Sequence, residues 1–162
     1  MSEITKTQDS RRIFVDTLNE LAEKDDKIIV IIPDVGFNYL ENTKFKVLNL
    51  GVTEQSCVII ASALALEGWK PYVYSMINFV LFRPAEMVRN AVVKHNANVK
   101  LIGVKGSASY KFLGFSHNLS YEFEDLVFCD NFGLDAHAPE TDEVEDVIRE
   151  TYKENKPCYI RL

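Results

Sequence analysis

The sequence predicts a parallel α/β fold. Three observations carry the prediction: an apolar run without polar alternation at residues 27–32, amphipathic segments at helical spacing, and strand-like runs that alternate with those segments. The 162 residues suit one domain, 1–162, long enough to bury roughly 70 % of the extended-chain surface. Hydrophobic residues at 47 % and charged residues at 26 % exclude a disordered chain. Eighteen Lys and Arg against 24 Asp and Glu leave a net charge of −6, which argues against nucleic acid as a partner.

The first helix is expected near Ser10, where Phe14, Leu18 and Leu21 repeat at helical spacing, and Asp25-Asp26 ends it. The run 27–32 follows as a strand buried on both faces. Pro33-Asp34-Val35-Gly36 opens a polar loop, and a second strand at 46–50 reaches Gly51. Thr53 is placed to cap a helix through Glu67, with Gly68 ending it in the left-handed conformation. Residues 71–75 read as a strand, and Pro84 suits the first turn of a helix to about His95. A strand at 99–104 leads into a long loop through about Tyr121. A short strand at 134–136, an amphipathic helix at 141–155 through Val144, Ile148 and Tyr152, and a strand at 158–160 close the chain.

Cys57, Cys129 and Cys158 are widely separated and form no CxxC pair, so neither a zinc site nor a disulfide framework is indicated. Free thiols and the polar stretch 1–12, which lacks a secretion signal, point to the cytoplasm. The longest nearly apolar run, 57–66, is interrupted by Ser62 and stopped by Glu67, too short to span a bilayer.

In such a sheet the ligand site lies beyond the carboxyl ends of the strands. Glu54, in Gly51-Val-Thr-Glu-Gln55, sits in the first turn of an otherwise apolar helix. Its ordinary role there is to complement the helix dipole; its functional role would be to share a proton with a ring nitrogen. Phe79, Phe82 and Arg83 precede the next helix. Core packing is the default for each Phe and solvation for the Arg, whereas a flat heteroaromatic ligand would need an aromatic face and an anionic one a cation. The long loop carries Lys105, Lys111 and His117; an idle exposed His is as expected as a proton shuttle. Gly114-Phe-Ser-His-Asn118 fails as a nucleophile elbow, because Asn118 stands where the second Gly belongs. His137, near a short strand, suits a structural role. Neither a GxGxxG fingerprint nor a Walker loop occurs, so the chain offers an acid, a stacking face and a histidine without a diphosphate cradle.

Taken in order, these motifs resemble the pyrimidine-binding domain of the transketolase family of thiamine diphosphate enzymes. The resemblance runs from residues 28–36 through Gly51-Val-Thr-Glu-Gln55, Ala61-Ser-Ala-Leu-Ala-Leu-Glu-Gly68, Lys70-Pro-Tyr-Val-Tyr-Ser75 and Phe79 to Asn90. It continues through Gly114-Phe-Ser-His117 to Pro157-Cys-Tyr-Ile-Arg-Leu162. It implies a three-layer α/β/α fold with a mostly parallel sheet. Glu54 matches the glutamate that hydrogen-bonds N1′ of the aminopyrimidine and favours the tautomer that removes the thiazolium C2 proton. Phe82 or Phe79 matches the stacking aromatic, with Phe82 the first choice. His117 matches the histidine near substrate oxygens, and Arg83 and Lys105 would supply positive charge around the substrate.

Two departures from the family stand out. The diphosphate-binding domain with its GDG…N metal motif and the third domain are absent from this sequence, so no metal ligands are expected in it. Mg²⁺ and the diphosphate would be held by a larger partner subunit, most simply in a heterotetramer of two plus two. The family's His-Asp-Ser becomes Lys105-Gly106-Ser107, and an acidic residue becomes Leu113, which weakens sugar-hydroxyl recognition. The expected activity is transfer of a two-carbon ketol unit from a ketose or ketose phosphate to an aldehyde. The alternatives are a deoxyxylulose-phosphate-synthase-like condensation, a decarboxylase or 2-oxoacid dehydrogenase component, a non-catalytic subunit of the same fold, and distantly a hydrolase using Ser116.

Overall fold

The computed structural model describes residues 9–105 and 108–162. The polar stretch 1–8, and Gly106 and Ser107 of the substituted family motif, lie outside the described residues.

Helix α1 (Ser10–Ala22) starts where Asp9 accepts a hydrogen bond from the Arg11 amide, and it buries Phe14, Val15 and Leu18. Strand β1 (Ile28–Ile32) is buried at all five positions. Its odd and even residues enter different cores: Ile29 and Ile31 on one face of the sheet, Ile28, Val30 and Ile32 on the other. An apolar residue is therefore needed at every position, which is why the run does not alternate.

With β2 (Lys46–Asn49), β3 (Lys70–Met76), β4 (Lys100–Val104), β5 (Asp135–His137) and β6 (Cys158–Arg161), it forms a six-stranded sheet of order β2-β1-β3-β4-β6-β5. Every pairing is parallel. Helices α1 and α5 (Val144–Lys153) cover one face through Phe14, Leu18, Val144 and Ile148. Helix α2 (Glu54–Leu66), helix α4 (Glu124–Phe132) and the segment after β3 cover the other, through Cys57, Val58, Ala61, Val80, Leu81 and Cys129. From β2 the chain crosses over β1 to β3, so the carboxyl ends of β1 and β3 flank a switch in strand order, where open α/β sheets place ligands.

Three expectations are corrected. Thr53 precedes α2 without capping it; its hydroxyl donates backwards to the Leu50 carbonyl at 2.9 Å. The helix expected from Pro84 begins earlier and is irregular. A π-helical turn spans Asn78–Phe82, a short helix α3 spans Ala85–Met87, and a second π-helical segment spans Val88–Val93. Pro84 has no N–H to continue an α-helical ladder, and the wide turn closes just before it, with Arg83 N–H donating to the Asn78 carbonyl at 2.9 Å. The long loop contains a 3₁₀ segment, Ala108–Ser116, kinked at Gly114, whose φ of 64° suits a residue without a Cβ.

Helix α4 is not announced by the hydropathy pattern, because its core-facing Asp125 is fully buried. Its carboxylate accepts from the Tyr159 hydroxyl at 2.6 Å and pairs with Arg161 at 3.1 Å, which ties α4 to β6. Burial and the adjacent carboxylate push the Tyr159 phenol well above its ordinary pKa. Gly103 on β4 leaves room for that ring: a Cβ there would stand 2.6 Å from Tyr159 atoms.

Candidate active site

The site is built from the ends of β1, β2 and β3. Asn49 ends β2, and its side-chain carbonyl accepts from the amides of Asp34 at 3.1 Å and Gly51 at 2.9 Å. Its amide group donates to the Asp34 carboxylate at 3.1 Å. This holds Asp34 at φ 60° and the turn at Gly51 at φ 69°. Thr53 N–H closes the turn on the Gly51 carbonyl at 2.7 Å, and α2 begins at the next residue.

Glu54 therefore enters the first turn of α2 with only 4 % of its surface exposed. A buried carboxylate needs a donor, and the Arg83 guanidinium supplies it through an ion pair. Burial, reinforced by the Glu54 charge, pushes the neighbouring Cys57 thiol up to about 11, so this cysteine stays protonated and unreactive near neutrality.

The π-helical turn sets the next layer. It brings the Arg83 guanidinium over the Phe79 ring, 4.2 Å from its centroid. Phe79 meets His117 edge-on at 4.9 Å, and His117 stacks parallel to Tyr110 at 6.1 Å. The Asn78 amide donates to the carbonyls of Phe115 and Asn118, and Asn118 in turn donates to Tyr110 and Gly114, which pins the 3₁₀ segment. The Ser116 hydroxyl donates to the Leu113 carbonyl at 2.9 Å and lies 2.8 Å from His117 Nδ1.

Phe82, half-buried like Phe79, lines a surface cleft with Phe79 and Arg83. It packs edge-on against Phe128 of α4, 5.3 Å between centroids, as part of the apolar layer. Lys105 directly follows β4. It lines a cleft of about 260 Å³ at the ends of β1, β3 and β4 with Gly36, Asn38, Tyr74 and Tyr110. Its ammonium lies 3.9 Å from the Glu122 carboxylate. Tyr110 borders this cleft and stacks on His117, so the two regions are contiguous. The structure thus brings Glu54, Arg83, Phe79 and His117 into one chain of contacts, with half-buried Phe82 bordering the same cleft as Phe79 and Arg83, and Lys105 in the neighbouring cleft. Half-buried His137 sits on β5 at the far edge of the sheet.

Asn49, Asn78 and Tyr110 are the contributors that sequence reasoning misses. Asn49 leaves a weak trace, a turn-forming residue two positions before Gly51; Asn78 and Tyr110 leave none. Among the described residues, no three His, Cys, Asp or Glu side chains converge as metal ligands, and no helix is long and apolar enough to cross a membrane.

Residues 6–162 match the family described as transketolase, pyrimidine binding domain. The chain belongs to this family. Its similar relatives include a subunit of the apulose-4-phosphate transketolase of Phocaeicola vulgatus, 31 % identical over 101 residues that cover 59 % of this chain and 32 % of that protein. A 6-deoxy-6-sulfo-D-fructose transketolase subunit of a Clostridium species is 29 % identical over 98 residues, covering 57 % and 30 %. The 1-deoxy-D-xylulose-5-phosphate synthase of Bacillus velezensis is 32 % identical over 93 residues, covering 54 % and 14 %. The chain thus matches about a third of the length of the first two relatives.

Among solved structures, a split-gene transketolase described as an inactive β4 tetramer superposes with a TM-score of 0.77 at 22 % identity, covering 94 % of this chain and 50 % of that one. The transketolase of Campylobacter jejuni gives 0.77 at 16 %, covering 94 % and 25 %. At these identities the structures speak for the fold of this pyrimidine-binding domain. The six-stranded parallel sheet between two helical layers agrees with them.

Proposed function

We propose that this pyrimidine-binding domain is the small subunit of a split, thiamine diphosphate-dependent transketolase. The observation that carries the reading is Glu54, a carboxylate buried at the start of α2 with a planar N–H donor held between it and the Phe79 ring. An aminopyrimidine that carries a proton at N1′ is likewise flat and presents a ring N–H donor, so the residues present fit it. When bound, the cofactor supplies the electron sink for cutting and joining the carbon–carbon bond. Glu54 would share a proton with ring nitrogen N1′. Phe79, beneath the Arg83 guanidinium, would stack on the ring once that guanidinium moves, and Phe82 borders the same cleft. His117, steadied by Tyr110 and Ser116, would hold or move a proton at substrate oxygens. Lys105 and Arg83 would meet an anionic group of the substrate.

The diphosphate and Mg²⁺ belong, on this reading, to a larger subunit carrying a GDG…N motif, in a two-plus-two assembly. Two relatives named as transketolase subunits support the division of labour, and their named sugars, one a phosphate and one a sulfonate, suit a cationic cleft. Leu113 cannot accept a hydrogen bond, so the donor would be a ketose with fewer hydroxyl requirements than a pentose phosphate. The three buried free thiols suit a reducing, cytoplasmic setting. The similarity to a deoxyxylulose-phosphate synthase favours a condensing enzyme as the second reading.

Co-expression with a candidate large subunit, followed by a panel of ketose phosphates, free ketoses and pyruvate with several aldehydes, separates the two. Mass spectrometry should find products two carbons longer with no carbon dioxide released. Carbon dioxide release with pyruvate as the only working donor would shift the assignment to the condensing enzyme.

A further inference from the structure

Arg83 stands out within this site because it touches both surfaces that the pyrimidine reading requires. Its guanidinium bonds the Glu54 carboxylate and covers the Phe79 ring 4.2 Å from the centroid. Guanidinium is planar, carries N–H donors on its edge and stacks on aromatic faces, and an aminopyrimidine that carries a proton at N1′ shares these three properties. The side chain is also free to leave: 42 % of it is exposed, against 5 % for that of Glu54. The exposed end can swing into solvent, whereas Glu54 is buried at the start of α2.

We propose that Arg83 is a displaceable placeholder over the pyrimidine site. In the free chain it satisfies the buried Glu54 and shields Phe79, and the cofactor ring must expel it before either residue can serve. This rests on the pyrimidine reading and adds that binding is a competition with an internal ligand. Leaving Glu54 unpaired would strand a buried charge, so the placeholder also protects the empty site. The competition lowers cofactor affinity by the strength of a half-exposed ion pair plus a cation–π contact, about three- to thirtyfold.

The test uses the full chain and thiamine diphosphate with Mg²⁺, titrated at millimolar concentration by NMR. The variants are Arg83→Gln, Arg83→Lys and Glu54→Gln, with near-ultraviolet circular dichroism to confirm folding. Arg83→Gln should tighten binding about three- to thirtyfold, Arg83→Lys should fall between it and the wild type, and Glu54→Gln should abolish binding. In the wild type, Arg83 δ protons should be shifted upfield by the Phe79 ring and return towards solvent values as ligand is added. Weaker binding in Arg83→Gln would make Arg83 part of the ligand surface and overturn the placeholder. Unchanged binding in Arg83→Gln, with loss in Glu54→Gln, would overturn the placeholder and leave the pyrimidine reading standing. Equal binding by Glu54→Gln and the wild type would overturn both.

Discussion

Asn49 and Asp34 hydrogen-bond each other twice across the ends of β2 and β1, at 3.1 Å in both directions. The same Asn49 oxygen also accepts from Gly51, so one side chain joins the two turns that frame Glu54. Asp34 at φ 60° occupies a region that non-glycine residues adopt only with local support.

Replacing Asn49 with Ala removes three hydrogen bonds at an exposed position. The expected cost is about 1–2 kcal/mol in urea denaturation, below the sum of three buried bonds because water replaces part of each. The larger effect should fall on cofactor binding, since the turn that leads into α2 and Glu54 loses its anchor. A destabilised variant that binds thiamine diphosphate as the wild type does would make Asn49 purely structural.

Glu54→Gln should leave the fold nearly unchanged. Loss of charge in the first turn removes about 0.3–1 kcal/mol of helix-dipole stabilisation, and a pair with a half-exposed Arg83 adds little more. In the assembled enzyme, hydrogen–deuterium exchange at C2 of the bound cofactor should slow by about 10²–10⁴-fold, the range of acid–base terms. Exchange at the wild-type rate would reduce Glu54 to a partner of the dipole.

Phe79 and Phe82 should separate cleanly. Phe82→Ala opens a gap against Phe128 and the apolar layer, and about 2 kcal/mol of stability should go with it. Phe79→Ala touches little of the core, so stability should hold while cofactor affinity falls. The opposite pattern would make Phe82 the stacking residue.

Gly103→Ala should be costly although alanine is small. Its Cβ would press on the Tyr159 ring, whose hydroxyl is held by buried Asp125 and cannot give way without breaking that bond. Overpacking and a strained buried hydrogen bond together should remove about 2–4 kcal/mol, measured by urea denaturation. The double variant Gly103→Ala with Tyr159→Phe should recover less than the full loss, since Phe leaves Asp125 short of a donor.

Alkaline sensitivity follows from the three buried thiols. Burial pushes Cys57 and Cys158 up to about 11 and Cys129 up to about 12, from an ordinary 9.0. Between about pH 9 and 11 the unfolded chain therefore ionises while the folded one keeps its protons, so stability falls as pH rises. By about pH 10.5 each thiol should remove about 1–2 kcal/mol, and buried Tyr72, Tyr74 and Tyr159 act in the same direction at higher pH. Urea midpoints that stay level from about pH 8 to 10.5 would contradict this.

Local sequence is enough to specify the sheet and the address of Glu54. The unbroken apolar run of β1 has meaning only for a strand buried on both faces, and a glutamate between Gly51 and an apolar helix ending at Gly68 can only stand in a first turn. Helix α4 is hidden from such reading, because a buried Asp125 breaks the hydropathy period and becomes tolerable only through Tyr159 and Arg161, 34 and 36 residues further on. The choice between Phe79 and Phe82 is hidden as well, since it depends on a π-helical register that turns one ring towards His117 and the other towards Phe128. The contact of Arg83 with Glu54 spans 29 residues and belongs to no local pattern. Short-range spacing encodes which face of an element is apolar; which polar groups meet across elements is decided only when the sheet and its helices pack, because burial then obliges each charge to find a partner.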